Sequence, residues 1–274
     1  MRNTISMTGF AASISACMGI DPPKGAEKDF ALPVQLLRKK GIAKAEKLLI
    51  YNPDAIGMWL WQKYTPWFAP VLEATDLTVP MCTVLPSVTP VCFGTMYTGV
   101  KPEVHGIQRY EKHVIERDSL LDALVRAEKK TAVVAVENSS MAIIFGGRAV
   151  DYFILPCDDA VSAKARELIL ENRHDVILVY NQEYDDVMHR TSPESPEALT
   201  ALRRHILTFA ELAATVKTCW KTYDSLICMA TDHGIHTAEN GHGTHGFAVE
   251  EDLNICHFYG AYPGEGKGRR HEKN

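Results

Sequence analysis

No stretch of this sequence approaches the ~18 consecutive apolar residues that a membrane span needs, so no membrane partner is expected. A basic excess is also missing. Lys and Arg number 29 against 34 Asp and Glu, a formal net charge of -5. That balance argues against a nucleic-acid polymer as partner, because such binding works through a broad basic surface. An anionic ligand would have to draw positive charge locally, from a metal or a helix terminus. Internal repeats and low-complexity segments are absent. No pair of the seven cysteines (Cys17, Cys82, Cys92, Cys157, Cys219, Cys228 and Cys256) has CxxC spacing. An odd set of this kind, partly in apolar runs, reads as buried reduced thiols in a cytoplasmic protein. Ile14-Ser15-Ala16-Cys17 resembles a lipoprotein cleavage box. Thr, Ser and Asn interrupt the apolar stretch around it, and a cytoplasmic location is the expectation.

What is present is an ordinary globular composition, 46% hydrophobic and 23% charged over 274 residues, enough for one large α/β domain. Apolar runs at Lys47–Tyr51, Val79–Leu85, Thr131–Val136, Asp151–Leu155, His174–Tyr180, Tyr223–Ala230 and Asn254–Tyr259 predict strands. Helices are predicted at Pro33–Lys40, around Trp59 and Trp61, at Val91–Tyr97, Leu120–Lys130 and Asp158–Asn172, and from Ser195-Pro196 to Thr218. Strands alternating with amphipathic helices predict an α/β three-layer sandwich with a mostly parallel central sheet. The whole chain, 1–274, reads as one domain. Residues 1–45 are an N-terminal extension packing on the core, and 264–274 a polar tail.

Ligands of such sheets bind at the carboxyl ends of the strands, and that rule selects residues. Asp54 follows the first of these strands and Asp232 directly follows the strand ending near Ala230. Asp185 comes a short loop after Tyr180, and Thr89 follows the strand ending near Leu85. Each alone is an ordinary turn residue or, for Thr89 before Pro90, an ordinary helix cap. Together they place four oxygen ligands on one sheet edge. Asp185 and His189 are four apart, so a helical turn sets both on one face, a spacing that suits one Zn²⁺ or Mn²⁺ ion. Asp232-His233-Gly234 lets an adjacent Asp and His turn onto one metal if the glycine breaks the strand. The block Gly241-His242-Gly243-Thr244-His245-Gly246 reads as either a flexible polar loop or a ligand loop. His236 and His242 are nearby spares.

The blocks YNPDAIG, PSVTPVCFGTMYTGVKPEVHGI, YDDVMHRTSPES, ATDHG and GTHG, in this order from Tyr51 to Gly246, resemble the alkaline phosphatase superfamily, and within it the type I phosphodiesterase/nucleotide pyrophosphatase branch. The resemblance implies an alkaline-phosphatase-like fold and two divalent metal ions, Zn²⁺ foremost, with Mn²⁺ or Mg²⁺ as alternatives. It implies one ion on Asp185, His189 and His245, and the other on Asp54, Asp232, His233 and the Thr89 oxygen. Thr89 would be the catalytic nucleophile, since a threonine hydroxyl needs a metal or base to attack phosphorus. The implied substrate is a small anionic phosphoester, cleaved as a diester or pyrophosphate. Phosphomonoesterase, phosphomutase and phosphonate hydrolase activity of the same superfamily are the alternatives, as is a non-catalytic metal-binding protein of the same fold. A homo-oligomer is compatible with all of these.

The chain departs from the family pattern where Cys92 stands three residues after Thr89, the place of an Asn that helps hold the phosphoryl oxygen. Backbone N–H groups at the helix start are the expected substitute. Cys92, Arg109 and Trp61 are the candidate substrate contacts, with Arg148 a further cation. The chain is short for a large mutase cap, and Thr89-Pro90-Val91 does not fit the C/S-x-P-x-R context of sulfatases. AASISACMGIDPP resembles a segment that many relatives carry near the C-terminus.

Overall fold

The computed structural model describes residues 1–266, and part of the expected polar tail lies outside the described residues. In chain order the elements are β1 (Ile5–Ser6), α1 (Phe10–Met18), α2 (Leu32–Lys39), β2 (Lys47–Pro53), α3 (Met58–Lys63), α4 (Ala69–Ala74) and β3 (Leu77–Cys82). Then come α5 (Thr89–Thr98), α6 (Pro102–His105), α7 (Leu120–Arg126), β4 (Thr131–Val136), α8 (Ser140–Ile144), β5 (Asp151–Leu155), α9 (Asp158–Glu171) and β6 (Val176–Asn181). The chain closes with α10 (Glu183–Arg190), α11 (Pro196–Cys219), β7 (Ser225–Ala230), β8 (His236–Thr237), β9 (Gly243–Thr244), α12 (Glu250–Leu253) and β10 (Asn254–Tyr262).

Eight strands form one sheet in the order β1-β3-β10-β7-β2-β6-β4-β5, and β8 and β9 pair separately as a short hairpin. Within the eight-stranded sheet of the described residues, β10 runs antiparallel to both β3 and β7, and the other pairings are parallel. Strands β2, β4, β6 and β7 are buried along their whole length, as parallel strands covered on both faces must be.

The period of two splits their side chains between two cores. Leu48, Ile50, Val133, Leu178 and Cys228 pack with Phe10, Ile14, Phe93 and Met96 on one face. Leu49, Tyr51, Val134, Ile177 and Met229 pack with Leu60, Val161, Leu202 and Phe209 on the other. This is the three-layer α/β sandwich that the strand and helix alternation predicts. Residues 5–18 take part in it directly, because β1 pairs with β3 and the α1 side chains Phe10 and Ile14 are fully buried. Cys17 lies in that buried layer, where burial pushes its thiol up to about 12. No helix among the described residues is long and apolar enough to cross a membrane.

Most boundaries agree with the sequence within a few residues, and the exceptions have local causes. β3 ends at Cys82 rather than Leu85, because its β10 partner ends there: Asn254 pairs with Cys82, and Thr83 N–H already reaches the Leu253 carbonyl of α12. α7 stops at Arg126 instead of Lys130, where Glu128 takes a left-handed φ of 55° and Lys129 N–H folds back to Leu124. Ser195 caps α11 through Ala198 N–H, as its sequence predicts. Asp158 does not cap its own helix. Its two carboxylate oxygens accept Gln182 N–H at 3.0 Å and Glu183 N–H at 2.9 Å, at the start of α10.

Candidate active site

The carboxyl ends of β2, β6 and β7, with the start of α5, converge at one edge of the sheet. Asp54 follows β2 directly, and its own N–H bonds to the Asn181 carbonyl at the end of β6. Asp232 and His233 follow β7. That turn is clamped from three sides: Ala55 N–H donates to Asp232 Oδ1 at 3.2 Å, Ile56 N–H to Thr231 Oγ1 at 2.9 Å, and Thr83 Oγ1 to the Asp232 carbonyl at 2.8 Å. Gly234 is needed there for space. A Cβ on it would lie 1.9 Å from the Glu251 carbonyl oxygen, so close approach, rather than an unusual φ, excludes other residues.

Two groups of side chains there could each hold a metal ion: Asp54, Asp232 and His233, and Asp185, His189 and His245. In the first, His233 Nε2 stands 3.3 Å from Asp54 Oδ1 and 3.3 Å from Asp232 Oδ2. In the second, Asp185 Oδ2 is 3.4 Å from His189 Nε2 and Asp185 Oδ1 is 3.4 Å from His245 Nε2. The expected i,i+4 placement on α10 is what aligns Asp185 with His189. The rings of His233 and His245 stack at 4.0 Å between centroids, so the groups adjoin. They differ in exposure: the side chains of Asp54, Asp232 and His233 are 0–2% exposed, that of His189 40%.

Thr89 faces the buried group. Its hydroxyl lies 3.4 Å from Asp54 Oδ2 and 3.3 Å from His233 Nε2. It is not the helix cap that the sequence suggests. Val88 occupies the cap position with no side-chain bond, and Thr89 is the first helical residue, with Pro90 behind it. The Thr89 oxygen is therefore free of capping duty. Of the backbone N–H groups at the helix start, those of Val91 and Cys92 both donate to the Val88 carbonyl.

The electrostatics follow from crowding acids in a dry place. Burial, then the neighbouring Asp232 and Asp185, push Asp54 well above the usual carboxylate range. Burial raises Asp232 to about 7, with Asp185 adding to the effect and the Ala55 N–H opposing it. Burial also works to raise Asp185, but the contact with His189 and the nearby His245 and His233 outweigh it and hold that carboxyl low. Burial lowers His233 and His245 to about 4. The Asp185 contact raises His189.

Each of the three histidines turns its Nδ1 to a backbone carbonyl: His189 to Gly243 at 3.0 Å, His233 to Gly234 at 3.1 Å and His245 to Ser87 at 2.7 Å. A carbonyl only accepts, so Nδ1 carries the proton and, in the neutral ring, Nε2 presents its lone pair to the site. Two such lone pairs then face each other, with His189 Nε2 3.1 Å from His245 Nε2. The carboxylate oxygens Asp54 Oδ1, Asp185 Oδ1 and Asp232 Oδ2 are buried without a hydrogen-bond partner. Buried acceptors arranged against one another without donors are unfavourable. Cations between them reverse the sign of every contact, so the residues present fit divalent metal ions.

Sequence reasoning missed Tyr180. It is the penultimate residue of β6, is buried, and donates its hydroxyl to Asp54 Oδ2. The Ser87, Gly234 and Gly243 carbonyls were likewise invisible, since a backbone oxygen has no signature in a sequence. Arg109 and Trp61 make their contacts elsewhere, whereas Cys92 is buried near enough to the site for Asp232 and Asp54 to act on its thiol. Cys92 is fully buried, bonds through sulfur to Thr83 Oγ1 at 3.1 Å, and burial keeps it a thiol. Arg109 is 82% exposed and pairs with Glu111 at 2.9 Å. Trp61 packs edge-on against Phe258 of β10. Arg148 is consumed structurally, its guanidinium donating to Asp122, Ser119 and the Ile115 and Arg117 carbonyls. His236 is held by Asp252 at 2.7 Å, and His242 Nδ1 meets the His189 carbonyl at 3.0 Å.

Residues 52–259 match the family model described as type I phosphodiesterase / nucleotide pyrophosphatase. No curated protein matches the sequence. Among solved structures, human ectonucleotide pyrophosphatase / phosphodiesterase 5 is similar at 18% identity and a TM-score of 0.57, over 70% of this chain and 58% of that one. An inactive threonine-to-alanine form of the murine protein in complex with AMP is similar at 17% identity and 0.54, over 71% of this chain and 59% of that one. Phosphonoacetate hydrolase from Sinorhizobium meliloti 1021 in complex with phosphonoacetate follows at 16% and 0.52, over 70% and 57%. The chain thus spans 57–59% of the length of these neighbours, and at such identities the likeness is one of fold.

Proposed function

The chain belongs to the type I phosphodiesterase / nucleotide pyrophosphatase family, and from that premise we propose that it is a metal-dependent hydrolase of small phosphoesters with Thr89 as nucleophile. The observation that carries the reading is the position of the Thr89 hydroxyl, within 3.4 Å of Asp54 and His233 at the edge of two adjoining groups of unsatisfied ligands. Asp54, Asp232, His233 and the Thr89 oxygen would hold one divalent ion, and Asp185, His189 and His245 the other, with Zn²⁺ the best match to mixed Asp and His donors. When bound, such ions supply the positive charge that activates the hydroxyl and offsets charge on the phosphoryl oxygens.

The chain's own residues do the rest. The Thr89 proton passes to Asp54 Oδ2, an acceptor it already touches. Its oxygen then forms a bond to phosphorus as the ester oxygen leaves with its electron pair. A water cleaves the resulting phosphothreonine, returning the hydroxyl and releasing phosphate or a phosphomonoester. Tyr180 holds Asp54 in place throughout. The rigid strand ends that carry Asp54 and Asp232 hold the acceptors at fixed distances, which is where positioning contributes most.

The family description names phosphodiesterase and nucleotide pyrophosphatase, and that favours a diester or pyrophosphate linkage. The same proposal takes the chain as one α/β unit. The free thiols of all seven cysteines suit a reducing compartment, and we place the protein in the cytoplasm.

The test is metal analysis of the purified protein, followed by rates on nitrophenyl mono- and diesters and on phosphonoacetate under Zn²⁺, Mn²⁺ and Mg²⁺. The diester is expected to be turned over fastest, and Thr89→Ala to lower that rate by at least about a thousandfold with the metal content kept. Full activity in Thr89→Ala removes the nucleophile assignment. A preference for the monoester makes the protein a phosphatase.

A further inference from the structure

The two groups of ligands are built on supports of different kinds. Asp54, Asp232 and His233 extend from β2 and β7, adjacent central strands, and are clamped by Ala55, Ile56 and Thr83. Asp185 and His189 lie on the eight-residue helix α10, and His245 lies on the far arm of the β8–β9 hairpin, whose strands are two residues each. The second group is complete only while the hairpin is seated on α10.

What seats it is a pair of adjacent residues. Gly243 gives its carbonyl to His189 Nδ1 at 3.0 Å, and His242 Nδ1 donates to the His189 carbonyl at 3.0 Å. His189 is therefore held at both its ring and its backbone by residues 242 and 243. The approach is close: a Cβ on Gly243 would lie 2.2 Å from Met188 Sδ and 2.8 Å from the Met188 carbonyl. The His189 carbonyl is in the last turn of α10, where helix carbonyls have no intrahelical partner, so His242 both satisfies that orphan and ties the hairpin to the helix. The hairpin tip beyond, Glu239 to Gly241, is exposed. At its base, His245 and Gly246 bond to the carbonyl and hydroxyl of Ser87.

We propose that His242 is a positioning residue for the Asp185–His189–His245 site, and that the two sites fill in order. The buried site takes its ion first and tightly, and the hairpin site fills second, with docking of residues 240–246 onto α10 as part of its binding step. The inference rests on the two-metal reading above. It adds a function for His242, which touches neither ion nor substrate, and a sequence of occupancy.

The experiment is Zn²⁺ titration of the metal-stripped full chain against a competing chelator, with metal analysis at each step and hydrogen exchange of the 240–246 amides followed in parallel. Wild type is expected to hold two ions whose affinities differ by tenfold or more, with exchange at 240–246 slowing only as the weaker site fills. His242→Ala is expected to weaken that site alone by about 10- to 100-fold, the range for a residue that orients a metal ligand. His242→Asn, which keeps an N–H donor, is expected to recover most of the loss. Equal weakening of both sites, or two affinities within twofold of wild type in His242→Ala, overturns the proposal and leaves the two-metal reading standing. Wild type that retains no ion overturns both. If His242→Ala fails to fold, wild type decides: exchange that slows with the first ion overturns the order.

Discussion

Three histidine tautomers decide what kind of site this is. Because Gly243, Gly234 and Ser87 each take an Nδ1 proton, the imidazoles point lone pairs at a space already lined by carboxylate oxygens. A protein using these histidines as acids or bases would need a proton on the inner nitrogen, and the buried pair is held near pKa 4. At neutral pH the buried pair is neutral, the form in which an imidazole can act as a metal ligand. Tyr180 belongs to the same scale. It supplies a donor to Asp54, whose other oxygen has none. Tyr180→Phe is expected to weaken metal binding at the buried site by about 10- to 100-fold with the fold intact, as measured by metal retention under chelator and by near-UV circular dichroism. An unchanged affinity would make Tyr180 a packing residue only.

At the scale of elements, α10 depends on a residue of another helix. Asp158 satisfies the N–H groups of Gln182 and Glu183 at the entry to α10, the helix that carries Asp185 and His189. Removing a cap of this type costs about 1–2 kcal/mol. Asp158→Ala is thus expected to lower thermal stability by several degrees for a chain of this size. It is also expected to loosen the α10 site more than the strand-end site, which denaturation and metal titration of the same variant will separate. If the two sites loosen equally, α10 is positioned by its packing on α11 and not by its cap.

The whole molecule couples stability to metal and to pH. Metal that binds only the folded state adds RT ln(1 + [L]/Kd), about 4 kcal/mol at a thousandfold excess over Kd, so chelation is expected to lower the melting temperature clearly. The pH dependence has two opposed parts. Burial lowers His205 and His257 to about 4, so below the unfolded value near 6.5 the unfolded chain takes up protons that the folded one refuses. Stability then falls as pH drops from about 6.5 toward 4, by roughly 1.4 kcal/mol per unit for each such group. Asp232, raised to about 7, acts in the opposite sense. The folded state binds its proton more tightly, so that stability is present at low pH and is lost as pH rises through about 7. Metal-free protein is expected to show a stability maximum near pH 6–7, and bound metal to flatten the alkaline side, as thermal melts from pH 4 to 9 with and without chelator will show. A metal-free curve still rising at pH 8 would contradict the crowding of the acids.

The strand and helix alternation, the sheet edge where Asp54, Asp232 and Asp185 gather, and the Asp185–His189 pair were all legible in the sequence. They rest on local periodicities of two and 3.6 residues and on the rule that parallel strands end together. Thr89 was legible as a candidate and misread as a cap, because the residue that starts a helix and the one before it carry the same signals. The antiparallel course of β10, the engagement of Arg148, the burial of Cys92, the tyrosine behind Asp54 and the carbonyls behind three histidines were decided only by tertiary structure. Each is a contact between segments far apart in the chain, often to a backbone atom that every residue possesses. Residue types and spacing determined which side chains could bind metal; only packing decided which of their atoms face it.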